Sequence, residues 1–106
     1  MNRQEALEAT AQCVLTDRNR DYGNPEDNFA TTAAIWNACL YGSGHLKKPL
    51  EAHDVAALMV GLKLARLAAS PRKLDTWVDM AGYAVCGVEV ASGGEPVTAP
   101  VDRVDV

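Results

Sequence analysis

From residue 3 to residue 90, apolar side chains return every three or four positions, and short Gly- and Pro-containing breaks separate the runs. That rhythm belongs to amphipathic helices. The first run, residues 3–16, is rich in Ala, Leu, Glu and Gln, all good helix formers. The stretch RNRDYGNPEDNF follows, from Arg18 to Phe29. Within it Gly23 marks a turn, Asn24 is a good N-cap and Pro25 suits a first helical position. Glu26 and Asp27 then place negative charge at the positive end of a helix. Phe29, Ala33, Trp36 and Leu40 continue at helical spacing, which predicts a second helix over 25–41. YGSGH and LKKPL break the pattern before a third helix over 51–69, and SPRKL breaks it again before a fourth over 75–90. No segment alternates as a strand would. The expected fold is all-α: a compact four-helix assembly forming one domain over residues 1–91. A flexible tail, SGGEPVTAPVDRVDV, is expected over 92–106.

Wheels drawn at 100° per residue raise the chemical questions. On the third helix Val55, Leu58, Met59, Leu62 and Ala69 form a stripe. Arg66 falls inside that stripe and Lys63 at its border. A cation among apolar neighbours must find a partner or reach a polar cavity, unless it snorkels at a core edge. On the fourth helix Trp77, Ala81, Ala84 and Val88 share one face. Asp75, Asp79, Gly82 and Cys86 share the other, with Tyr83 nearby. Asp75 and Asp79 stand one turn apart, so they can clamp an arginine or hold a divalent cation; capping and solvation are the plainer roles. Gly82 costs about 1 kcal/mol against alanine in a helix and allows a close approach of another backbone or a ligand. Glu51 and Asp54 make an ExxD pair whose simpler reading is a helix start. In the same way Asp21 is expected to hold Arg66 or Arg18, with Tyr22 and Gly23 shaping one wall of a polar pocket. The two competing faces of the fourth helix point to a homo-oligomer joined through the third and fourth helices.

Composition narrows the classes. Ten Lys and Arg stand against 14 Asp and Glu, a net charge of −4, which argues against general nucleic-acid binding. Cys13, Cys39 and Cys86 are widely spaced, with no CxxC, as free thiols in a reducing cytoplasm would be. The first ten residues carry no apolar signal segment, and the apolar stretch around Val55 to Leu62 is too short to span a bilayer. A cytoplasmic protein without a membrane role is expected.

RNRDYGNPEDNF, then Trp36, then DVAALMVGLKLARLAAS, then DTWVDMAGYA together resemble a family of small uncharacterised phage and prophage proteins. The resemblance covers roughly residues 16–90. It extends distantly to the all-α nucleotide pyrophosphohydrolases of the MazG type, and to small helical phage domains associated with nucleotide modification. The resemblance implies a phage setting and a nucleotide link. It also implies ligand-binding roles for Asp21, Tyr22, Gly23, Asn28, Trp36, Lys63, Arg66, Asp79 and Tyr83. Among these, Lys63 and Arg66 suit phosphate, and Trp36, Tyr22 or Tyr83 could stack on a base.

The pyrophosphohydrolases hold Mg2+ with an ExxE pair and an ExxD pair. This chain offers only the ExxD of Glu51 and Asp54, and a DxxxD of Asp75 and Asp79. The leading expectation is therefore a non-catalytic nucleotide-binding protein with no cofactor, one that sequesters a nucleotide-derived defence signal of the host. A Mg2+-dependent pyrophosphohydrolase using Asp75 and Asp79, or a nucleotide-modification accessory, is the alternative. A protein-interaction module that inhibits a host complex is a further one. The sharpest single expectation is that Arg66 carries ligand binding.

Overall fold

The computed structural model describes residues 1–95. These residues form an all-helical fold in which no strand occurs. Helix α1 spans Arg3–Gln12 and passes without a break into a π-helical segment, Cys13–Asp17, and then into α2, Arg18–Tyr22. Three longer helices follow: α3, Pro25–Leu40; α4, Ala52–Ala69; and α5, Leu74–Ala91. Counting the N-terminal run as one bent helix gives the four helices read from the pattern. Its end is the correction. The first helix reaches Tyr22 rather than residue 16, so RNRDY is helical and only Gly23 and Asn24 connect it to α3.

Local chemistry fixes these boundaries. Asn2 and Glu5 cap α1 reciprocally: Asn2 Oδ1 accepts from the Glu5 N–H at 2.8 Å, and the Asn2 N–H donates to Glu5 Oε1 at 3.2 Å. Gly23 adopts φ +76°, a left-handed value that lets the chain reverse. Asn24 then accepts from the Glu26 N–H at 2.9 Å, with Pro25 in the first turn of α3. At the start of α4 the Glu51 N–H donates to Asp54 Oδ2 at 2.8 Å, so the ExxD pair works as a helix cap. Asn37 ties the loop before α4 to α3: its side chain donates to the Leu50 carbonyl at 3.0 Å and accepts from the Leu50 N–H at 2.7 Å. The α4–α5 turn is pinned by Trp77, whose indole N–H donates to the Pro71 carbonyl at 2.9 Å. After α5, the N–H of Gly94 closes on the Glu89 carbonyl at 2.8 Å. The remainder of the expected tail, from residue 96, lies outside the described residues.

The core is small. Phe29 and Val55 are its largest fully buried side chains, joined by Val14, Ala33, Ala56 and Cys86. Trp36, Met59 and Tyr83 pack against them, partly buried. Two stripes drawn on the wheels therefore divide differently. On α4, Val55 and Met59 face the core while Leu58 and Leu62 are exposed. On α5 the core takes the face of Gly82 and Cys86, and the more apolar face of Trp77 and Val88 points outward. Gly82 explains the choice. A Cβ there would lie 3.1 Å from Val14 Cγ1, so glycine lets the π segment close onto α5. No helix among the described residues is long and apolar enough to cross a membrane.

Candidate functional site

The π segment organises the site. The Arg18 N–H donates to the Cys13 carbonyl, five residues back, which inserts one residue into the helical ladder. On a regular α-helix a four-residue step drifts by about 40°. The wider turn absorbs that drift, so Cys13, Asp17 and Asp21, and with them Val14, Arg18 and Tyr22, keep to one side. That side faces Lys63 of α4 and Asp79, Gly82 and Tyr83 of α5 across a cavity of about 290 Å3.

Arg18 is the central group. Its guanidinium carbon lies 5.0 Å from the ring centroid of Phe29, 5.0 Å from that of Tyr83 and 5.5 Å from that of Tyr22. Three aromatic faces thus surround one cation, and the Phe29 and Tyr83 rings are themselves stacked at 6.3 Å. Arg18 Nη2 donates to Asn28 Oδ1 at 3.2 Å, while the buried Nε has no hydrogen-bond partner among the described residues. Arg18 also makes no ion pair among the described residues, although three carboxylates line the same cavity. Each of those acids is engaged elsewhere. Asp21 Oδ1 accepts from Arg20 Nε at 3.2 Å, and Asp17 Oδ1 lies 3.8 Å from Arg20 Nη2. Asp79 Oδ2 accepts from Lys63 Nζ at 3.1 Å, with the Lys63 side chain only 16% exposed. Three cations and three acids balance in number here, but Arg20 takes two of the acids and Lys63 the third, so Arg18 is left without a carboxylate at ion-pair distance.

The thiol of Cys13 lies against the cavity wall. Burial pushes it up, with Asp79 and Asp17 acting in the same direction and Arg18 against them. The buried Cys86 thiol is likewise pushed up by burial, against the opposing pull of Arg18.

Of the residues expected to bind a ligand, the structure brings Asp21, Tyr22, Lys63, Asp79 and Tyr83 to the cavity. Asn28 stands behind it, holding Arg18. Gly23 supplies the turn after α2, and Trp36 packs against the core away from the cavity. Arg66 is exposed, lines no part of the cavity and makes no ion pair among the described residues. The expected Asp21–Arg66 or Asp21–Arg18 clamp is therefore corrected: Asp21 is held by its neighbour Arg20. The reason is the extended first helix, which directs Asp21 along its own surface. Asp75 is also exposed, in the first turn of α5, and does not join Asp79 at the cavity.

The acids near the cavity are not arranged to hold Mg2+. Within the cavity Asp79 is committed to Lys63 and Asp21 to Arg20. Among the described residues the acids and histidine close enough to share an ion are Glu51, His53 and Asp54, which cap α4 and do not line the cavity. The residues present do not converge as a magnesium site.

Chemically the site is a small polar cavity with an aromatic-walled arginine, built into an all-α fold by a π turn. The family described as Domain of unknown function (DUF6378) matches residues 5–91, and the chain belongs to that family. It is 38% identical over 80 residues to the Gene 55 protein of Mycobacterium phage D29, a match covering 76% of this chain and 49% of that protein. It is 36% identical over 78 residues to the Gene 55 protein of Mycobacterium phage L5, covering 74% of this chain and 47% of that one. The chain thus spans about half the length of the curated relatives it matches. No solved structure matches it.

Proposed function

We propose that this chain is a phage-type nucleotide-binding protein that holds a nucleotide or a nucleotide-derived small molecule in the cavity beside Arg18. The observation that carries the reading is the state of Arg18, a cation ringed by three aromatic faces with no carboxylate of its own. A phosphate is the natural partner for a guanidinium so placed. Tyr22, which is exposed at the cavity wall, offers a ring on which a base can stack. The volume of about 290 Å3 is at the lower end for small-molecule sites, which selects a ligand of mononucleotide size or smaller. Binding without turnover fits a role in the host cytoplasm in which the protein sequesters a nucleotide-derived defence signal.

The test is a panel of nucleotides offered with and without Mg2+, scored for both retention and turnover. Retention without turnover supports the proposal. Mg2+-dependent release of pyrophosphate replaces it with the hydrolase reading. Failure to retain any nucleotide leaves a protein-interaction module.

A further inference from the structure

The side of α4 turned away from α3 and α5 is unusual for a helix surface. From Ala57 to Ala69 its exposed positions are alanine, glycine or leucine, with Arg66 the exception. Leu58 is 49% exposed, Leu62 44% and Leu64 60%. Leu58, Gly61, Leu62, Ala65 and Ala69 fall within an arc of about 100° over three turns. An apolar strip of this length on a domain whose core holds only two large fully buried side chains marks a surface that something covers. Gly61 lies in its middle, and a Cβ added there would meet nothing within 4 Å. The domain itself therefore gives glycine no packing reason at this position, whereas a second helix approaching closely would.

The charges at the two ends of the strip select the occupant. Its N-terminal end carries Glu51 and Asp54, and its C-terminal edge carries Arg66, which has no acid partner among the described residues. We infer that the strip docks a second copy of this chain, α4 against α4 in antiparallel orientation about a two-fold axis that crosses the strip beside Gly61, at the level of residue 60. In that register 58 and 62 are symmetry mates, as are 54 and 66. Leu58 then packs on the partner's Leu62, and Arg66 meets the acids at the start of the partner's α4. Each contact occurs twice, as an isologous interface requires. The face is complementary to its own reverse, and this sets a second copy apart from an unrelated apolar segment.

Sedimentation equilibrium tests the inference independently of any ligand. The parent chain should run at about twice its 11.3 kDa mass. Gly61→Glu should be monomeric with unchanged helix content, because the new side chain points into open space within one copy. Arg66→Glu should weaken the dimer by at least about tenfold in Kd, since it sets like charges against each other across the interface. A parent that stays monomeric at all concentrations overturns the inference. So does a dimer that Gly61→Glu leaves intact, or one that Arg66→Glu does not weaken.

Discussion

Arg18 and Arg66 are both cations set among apolar neighbours, and the difference between them decides which of the two the proposed nucleotide site is built on. Arg18 is held by aromatic faces and a single hydrogen bond to Asn28, with no carboxylate. Arg66 stands in solvent. Arg18→Met keeps an unbranched stem against the rings and removes the charge. On the proposed reading it should abolish nucleotide retention, at a stability cost of about 2–5 kcal/mol, the sum of a cation–π contribution and one charged hydrogen bond. Arg66→Ala should leave nucleotide retention at the parent value. Equilibrium dialysis and chemical melts on the two variants check both statements. The sequence placed Arg66 in an apolar stripe because Leu58 and Leu62 were read as core, and both are exposed. Tyr22, Lys63, Asp79 and Tyr83, expected together from the i, i+4 spacing of α5 and the family motifs, do line one cavity, since those are local signals. Arg18 escaped notice as a site residue because its significance comes from Phe29 and Tyr83, 11 and 65 positions along the chain, and no local pattern reports such a contact.

At the scale of elements, the π segment is the part that helical periodicity misread. The apolar rhythm of residues 3–16 fades where an extra residue enters the ladder, and a fading rhythm looks like a helix end. Cys13, Asp17 and Asp21 on one line, and Val14, Arg18 and Tyr22 on the next, have the four-residue spacing of any helix face, so the sequence carries no mark of the inserted residue. The widened turn nevertheless carries both lines along the cavity. Gly82 is the matching feature on α5. Gly82→Ala gains up to about 1 kcal/mol in helix propensity, but its Cβ meets Val14 Cγ1 at 3.1 Å. Overpacking of this kind costs about 1–3 kcal/mol, so the net change should be a loss of about 0–2 kcal/mol, with weaker nucleotide retention because the π segment is pushed outward. Adding Val14→Ala removes the clashing atom. The double variant should bind better than Gly82→Ala alone, a non-additivity that a double-mutant cycle reads directly. Additive losses would show that the two elements do not press on each other.

For the whole molecule, a small core makes stability sensitive to modest terms, and two of its thiols supply one that depends on pH. Burial raises both the Cys13 and the Cys86 thiol above the ordinary value of 9.0, so the folded state favours the neutral form of each. The sign follows from linkage. Below about pH 9 the thiols are protonated in both the folded and the unfolded chain, and stability does not change on their account. Above it the unfolded chain releases protons that the folded chain retains, so the unfolded state gains. Stability should therefore fall as the pH rises above about 9 and continue to fall until the folded thiols titrate as well. The difference between two proteins that vary only at these thiols isolates their contribution. A Cys13→Ala/Cys86→Ala variant begins from a lower melting temperature, because Cys86 is 3% exposed and its removal leaves a small void. Its melting temperature should nevertheless decline less steeply between pH 8 and pH 10 than that of the parent. Cys39, which is exposed on α3, serves as the control: Cys39→Ala should reproduce the parent slope. Parallel curves for the parent and the double variant would mean that neither Cys13 nor Cys86 is coupled to folding.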